Sequence, residues 1–374
     1  MSPSEYDSYR GPEKPRRRRR REGPPIQVGR PGSGIGMGRG RGGDDGSREV
    51  PMVDDVQFSS YYGRPIVKSP PWGWPISTYL FVGGVAGASG ILSVGADLTD
   101  RPILRRNVRL TALAALGVGT ACLIEDLGKP TRFLYMLRTI KLTSPMSLGT
   151  WLLSAYGLGA GVTGAVEVDR LLGERLPIGP LRPLSRALEG PASVQAGLFG
   201  GPLAAYTAVL LSSTSVPTWA GGRRDLPFVF VSSAGLAAGG IAMILTPVRE
   251  AGPARNLTRL SVATELFASN LMKHRMHPVE VEPLKKGRPG KMLKWAEGLT
   301  IAGGIGSLFA GKSRAIAVAS GLALAASSAL TRFAVMDAGH ASAKDPKYTV
   351  EPQRDRLAAR RAAGIDDDSI TTAG

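Results

Sequence analysis

The chain has 374 residues, 49 of them glycine, and carries a formal net charge of +17 with one cysteine and three histidines. The lone Cys122 excludes an internal disulfide and any cysteine-ligated iron–sulfur cluster or zinc site held by this chain alone. His274, His277 and His340 stand at or beyond the ends of apolar runs. That excludes bis-histidine haem between two helices, and no metal or haem is expected on this chain.

Residues 1–70 are polar, punctuated by Pro and Gly and free of periodicity, which predicts a disordered basic tail. The Arg16–Arg21 run is followed by Glu22-Gly-Pro-Pro25 rather than an apolar stretch, so it does not read as a twin-arginine export signal. Gly38–Gly43 fits GxGxxG in form, with neither the strand before it nor the helix after it that a nucleotide loop needs. The Arg run reads as a solvated tail, with contact to membrane lipid or an acidic partner as the alternative. No nucleic-acid partner is expected.

Eight apolar stretches follow, at 75–97, 108–126, 146–169, 191–213, 226–247, 256–273, 295–311 and 315–336. Each approaches the roughly 20 residues that a helical membrane crossing requires. Gly, Ala, Ser and Thr crowd them, as in 81–90 and 317–328. In water a glycine inside a helix costs about 1 kcal/mol against alanine; in lipid, small residues let helix backbones approach. The expected fold is therefore all-α: a polytopic bundle of eight transmembrane helices over 71–340, followed by a polar C-terminal tail at 341–374. The stretch 256–273 is the most polar of the eight. Its Ser261, Glu265 and Ser269 recur every four residues and share one face, so this helix should face inward.

An even number of crossings puts both ends of the chain on one side. Arg64, Lys68, Lys344, Lys347, Arg354 and Arg356 flank the bundle there, so the positive-inside bias places both termini in the cytoplasm. Ionisable side chains within a bilayer are costly and mark functional sites by default. Asp97 and Glu167 lie at the far ends of the first and third stretches, where headgroup water makes them cheap. Glu125 and Asp126 end the second stretch on the side of the termini. Glu265 is the acid nearest the middle of a stretch, and Arg332, about one turn inside the eighth, matches it in depth as a partner. Five distinctive strings also fall on the side of the termini: Pro71–Tyr79, Glu125–Arg138, Ser144–Gly149, Pro217–Pro227 and Arg332–Tyr348. A belt of aromatics with helix caps explains each tryptophan separately. It does not explain why the polar strings share one side, which suggests a docking surface and an entrance for an amphipathic ligand.

The strings Trp74–Tyr79 with Gly83-Gly84, Asp126–Phe133, Ser144–Gly149, Tyr206–Leu210 with Pro217–Trp219, and Ala338–Pro346 occur in an order that resembles the NrfD/polysulfide-reductase membrane-subunit family. The resemblance covers about 72–350. It implies eight spans built as two four-helix units, in the plasma membrane of a bacterium. It further implies a quinone, menaquinone or ubiquinone, bound as substrate near the face where a ferredoxin-like iron–sulfur subunit docks, with a molybdopterin-type catalytic subunit beyond. The chain is then the anchor subunit of an oxidoreductase complex. Some relatives carry a histidine early in the first span, where this chain has Gly83 and Gly84. The substitutes nominated for the quinone are Tyr79, Asp126, Tyr135 and Glu265, with Trp74 beside them. A carboxylate can exchange the protons of quinone chemistry and a phenol can hydrogen-bond its carbonyl. Asp126 would relay protons, Lys129 and Arg132 would serve as entrance or docking charges with His340, and Glu265 with Arg332 would form an internal polar link. Asp126 also has a plain reading, as a helix-end carboxylate structuring the loop after it. At the level of function the alternatives are a structural anchor that never touches quinone, and a proton or solute transporter.

Overall fold

The computed structural model describes residues 65–364 apart from 130, 142, 176 and 178. All but the end of the expected N-terminal tail, and the last ten residues of the chain, lie outside that range. Among the described residues every regular element is a helix. Eight are long: α1 (Trp74–Leu98), α2 (Pro102–Asp126), α4 (Pro145–Leu171), α5 (Leu181–Ser212), α7 (Leu226–Leu245), α8 (Gly252–Arg275), α10 (Gly287–Phe309) and α11 (Arg314–Lys344). They coincide with the eight apolar stretches in order. Four shorter helices are inserted between or after them: α3 (Thr131–Arg138), α6 (Pro217–Gly221), α9 (Pro278–Lys285) and α12 (Lys347–Ala362). The last of these occupies much of the expected polar C-terminal tail.

Local chemistry sets the helix starts. In α1, α2, α4, α6, α7, α8 and α9 a proline stands in the first turn, where its missing N–H would have no partner anyway. Five helices, α1, α2, α5, α7 and α11, are long and apolar enough to cross a membrane. α4, α8 and α10 are not among them; α8 turns Thr258, Ser261, Glu265 and Ala268 inward as one buried face, with Ser261 and Glu265 as expected and Ser269 only half-buried. A helix whose polar side chains find partners inside the bundle needs no apolar sequence on that face.

α1, α2, α4 and α5 pack together, and α7, α8, α10 and α11 form a second group. α1 and α7 are the most enclosed helices and join the groups. α1 and α5 cross at Gly87 and Gly200, where a Cβ on either residue would overlap the other backbone carbonyl. This contact is why small residues crowd the apolar stretches. The inserted helices gather at one end of the bundle: α6 packs on α9 and α11, and α12 on α6 and α9. That end also holds the start of α1 and the end of α11. The opposite end has short connections, held by Arg314 Nη1 to the carbonyls of Met243 (2.8 Å) and Thr246 (2.7 Å) and by Glu250 Oε2 accepting from the Ile103 N–H (2.7 Å).

Candidate functional site

At the end that carries the inserted helices, α1 to α5 converge on a cavity of ≈ 80 Å³. Helical spacing puts its walls together. α1 contributes Ile76 and Tyr79, α2 contributes Leu123 and Asp126, and α5 contributes Tyr206 and Leu210. Met146, Gly149 and Leu153 enter from α4, Phe133 and Met136 from α3, and Trp72 from the segment before α1. Gly149 is required here, because a Cβ would overlap the Tyr206 ring. With that room, the Tyr206 hydroxyl donates to the Pro145 carbonyl at 2.7 Å. Tyr79 is 2% exposed and packs against Gly83 and Gly119.

Asp126 stands at the rim as the last residue of α2. The loop after it is tied by Leu127 N–H to the Leu123 carbonyl (3.1 Å), Gly128 N–H to the Glu125 carbonyl (3.1 Å) and Arg132 Nη1 to the Leu127 carbonyl (3.3 Å). Gly128 takes a left-handed φ of 69°, the usual way of ending a helix. None of these bonds uses the Asp126 carboxylate. The wall thus offers an apolar slot, two phenols and one carboxylate at its mouth, a set suited to a flat, mostly apolar ring bearing hydrogen-bonding oxygens.

Trp72 is fixed from the second helix group. Its carbonyl lies 3.0 Å from His340 Nε2, and His340 Nδ1 lies 3.0 Å from the Ser69 hydroxyl. This arrangement fits a ring protonated on Nε2, which donates to the carbonyl and accepts from the serine. The Trp72 ring stacks on Trp219 at 5.8 Å, and Trp219 meets the His340 ring edge-on at 5.7 Å while donating its Nε1–H to the Val335 carbonyl at 2.7 Å. Three of the five distinctive strings therefore touch at one place, and a fourth and fifth line the cavity beside it.

The nominated residues divide. Asp126 and Tyr79 line the cavity. Trp74 and Tyr135 do not; they are 62% and 63% exposed, and their neighbours Trp72, Phe133 and Met136 take the wall positions. Lys129 and Arg132 lie exposed on the loop and the start of α3. Glu265 lies in the second group, where it accepts from Thr300 Oγ1 (3.3 Å) and Thr331 Oγ1 (3.5 Å). Thr300 in turn is 2.6 Å from Ser327 Oγ. No ion pair joins Glu265 to Arg332. The Arg332 guanidinium instead lies 3.7 Å over the Phe230 ring and donates Nη2–H to the Phe230 carbonyl at 2.6 Å. Gly84 faces that same guanidinium. Depth in the sequence had matched the two residues; α11 sets the Thr331 hydroxyl on Glu265, and Arg332 acts on that carboxylate through its charge, without direct contact.

Two features were not nominated. Tyr206 opens the Tyr206–Leu210 string, outside the five distinctive strings, and its position opposite Gly149 could not be read without the α4–α5 crossing. The other is a charge network at the far end of the first group. Arg109, 2% exposed, binds Asp97 (2.9 Å) and Glu167 (3.0 Å) and also contacts Glu189, while its Nε–H donates to Ser93 Oγ at 3.1 Å. Arg170 closes the network on Glu189 (2.7 Å) and Glu167 (3.1 Å), and Arg105 reaches Glu167 at 3.3 Å. Asp97, which is exposed, and the buried Glu167 are joined through this arginine.

A family model described as "Polysulphide reductase, NrfD" matches residues 66–273. Every cavity residue falls inside that range. Among curated proteins, the sequence is 28% identical over 178 residues to the polysulfide reductase C subunit of Wolinella succinogenes, covering 45% of this chain and 55% of that protein. It is 29% identical over 217 residues to Protein NrfD of Escherichia coli K12, covering 52% of this chain and 64% of that one. The match thus spans somewhat more than half the length of each relative.

Proposed function

The chain belongs to the NrfD polysulphide reductase family, and from that premise we propose that it is the quinone-reactive membrane anchor of an oxidoreductase complex. In this reading all eight long helices cross a bacterial plasma membrane with both termini in the cytoplasm. Electrons pass between the quinone pool and a ferredoxin-like iron–sulfur subunit, behind which stands a molybdopterin-type catalytic subunit. The observation that carries the reading is the cavity itself. Within the family-matched part of the chain, an apolar slot holds Tyr79 and Tyr206 and opens past a carboxylate that the surrounding loop does not use.

A quinol giving up two electrons must also release two protons, and a quinone taking two electrons must gain them. Asp126 at the rim accepts or returns those protons, and Tyr79 supplies a hydrogen bond to a ring oxygen. The slot is smaller than typical ligand sites of roughly 300–1,000 Å³, so it takes only the ring, and the isoprenoid tail stays in lipid. Trp72, clamped by His340, closes the side toward the second helix group, and the exposed Lys129 and Arg132 are docking charges beside the mouth.

The test is Asp126→Asn in the assembled complex, which keeps size and removes the titratable group. Quinone-linked turnover should fall by roughly 10²–10⁴-fold, the usual worth of a proton-transfer group. Electron transfer between the partner's clusters and a soluble dye should persist, because it bypasses this subunit. Full quinone-linked activity in the variant would remove Asp126 from the reaction and favour a structural anchor.

A further inference from the structure

The end of the bundle opposite the cavity gathers arginines from four separate segments. Arg101 stands on the α1–α2 turn, Arg249 on the α7–α8 turn, Arg255 and Arg259 early in α8, and Arg314 at the start of α11. Four of them fasten backbone. Arg314 holds the carbonyls that end α7, and Arg255 Nη1 donates to the Val248 carbonyl at 2.7 Å. Arg101 Nη1 donates to the Arg249 carbonyl at 2.9 Å, and Arg259 Nη2 to the Ser307 carbonyl at 3.2 Å. A carbonyl at a helix end carries only a fraction of a negative charge, so these contacts place the cations without neutralising them. The neighbouring acids do not neutralise them either. Glu250 Oε2 accepts from the Ile103 and Leu104 N–H groups at the start of α2 (2.7 and 3.4 Å), and Asp97, Glu167 and Glu189 surround Arg109. Asp100 is exposed on the α1–α2 turn. Among the described residues no ion pair joins an acid to Arg101, Arg249, Arg255, Arg259 or Arg314. Like charge accumulates instead: Arg101 and Arg259 both act on Arg255. The Nε of Arg101 is buried with no hydrogen-bond partner among the described residues.

Cations gathered in this way call for an anion, and guanidinium forks that arrive from several directions suit the oxygens of a phosphate group. The surface beside them points to its source. Leu245 at the end of α7, Leu260 next to Arg259 and Phe309 at the end of α10 are 51%, 64% and 50% exposed. A soluble anion leaves these apolar side chains uncovered. A phospholipid lays its acyl chains on them while its head group meets the arginines. We propose that this end of the chain binds the head group of an anionic phospholipid, and that the bound phosphate ties the α7–α8 turn to the α1–α2 turn and the start of α11. The site is remote from the cavity and independent of the quinone reading.

Hydrogen exchange of the full chain in nanodiscs tests this without requiring any variant to fold. The amides of residues 244–252 are followed under three conditions. These are phosphatidylcholine alone, phosphatidylcholine with phosphatidylglycerol, and phosphatidylcholine with inorganic phosphate added against chloride at equal ionic strength. Exchange there should slow by about tenfold with phosphatidylglycerol, a change of about 1.4 kcal/mol, and stay unchanged with inorganic phosphate. Native mass spectrometry should retain one phosphatidylglycerol on the wild-type chain. Arg249→Gln/Arg259→Gln, which replaces two exposed arginines, should lose both that lipid and the slowing. Arg288→Gln/Lys291→Gln, exposed at the opposite end of the bundle, should keep both. Exchange insensitive to the lipid, equal slowing by inorganic phosphate, or full protection in Arg249→Gln/Arg259→Gln would overturn the proposal.

Discussion

The two ends of the first helix group carry acids at comparable depth and use them in opposite ways. At the far end Asp97, Glu167 and Glu189 surround Arg109, with Arg105 and Arg170 completing a network of three acids and three arginines. At the near end Asp126 stands at the rim of an apolar cavity, and the hydrogen bonds that shape its loop pass it by. Charge saturated with opposite charge resists change of protonation and joins helices. A carboxylate left to an apolar slot is the group that can exchange a proton with whatever enters.

The largest expected effect breaks the far end. Arg109→Leu removes the cation shared by three acids and leaves Glu167, 3% exposed at its side chain, with partners only at the edge of the network. Stranding buried charge typically costs about 3–5 kcal/mol, so the variant should fail to accumulate in the membrane or lose a large share of its thermal stability in nanodiscs. Glu167→Gln should be much milder, because Arg109 keeps Asp97 and Glu189. Equal loss in the two variants would show that the network does not act around Arg109.

Asp126→Asn should give the reverse signature. Alongside the loss of turnover, its unfolding free energy should stay within about 0.5 kcal/mol of wild type, as for surface changes that touch no buried partner. A destabilised Asp126→Asn protein would mean that the carboxylate holds its loop after all, and would erase the contrast between the two ends.

How much of this was legible in the residues follows from the same contrast. The eight helices and the inward face of α8 could be read because apolar length and four-residue spacing are local properties. Asp126 and Tyr79 were reachable because each sits in a distinctive string at a helix end. Trp72 and Tyr206 were harder, since a cavity wall depends on how helices cross. Trp74 is as conspicuous in sequence as Trp72, yet it points away, and nothing local separates them. Arg109 stayed hidden for a different reason. Its three acids come from α1, α4 and α5, and no spacing along the chain links them. Glu265 and Arg332 share a depth and feel one another's charge, but side-chain contact between them could not be read from depth and is not made.

That last point sets the third prediction, which places Glu265 between the two ends. An ion pair with Arg332 would make Glu265→Gln strand a buried cation. The geometry gives Glu265 hydroxyl partners instead, Thr300 and Thr331, and gives Arg332 the Phe230 ring and carbonyl. A glutamine can accept from the same hydroxyls, so Glu265→Gln should assemble with a cost of about 1 kcal/mol, the ordinary worth of a hydrogen bond. Chemical denaturation in mixed micelles would measure it, and a cost of several kcal/mol would restore the pair.

The smallest effect concerns acids outside the bundle, where the contrast recurs within one short helix. In α9 burial pushes the Glu280 carboxyl up, against the pull of Arg356, while Lys286 and Lys347 hold Glu282 down to about 2. The two should therefore respond to pH with opposite signs. For Glu282 the folded value lies below the ordinary one near 4.5, so its contribution is complete above that value and disappears as pH falls through about 2. For Glu280 the raised value makes ionisation the unfavourable event, so its contribution is complete below the ordinary value and is lost as pH rises through the folded one. Lys347→Gln removes one of the two cations on Glu282 and should shift the acid-side release of α12 toward higher pH. Hydrogen exchange of the α12 amides between pH 5 and 2, corrected for intrinsic rates, reads this directly. An unchanged acid profile in Lys347→Gln would show that the Glu282 contact does not fasten α12. The Arg356–Glu280 and Asp355–His277 contacts would then carry that fastening.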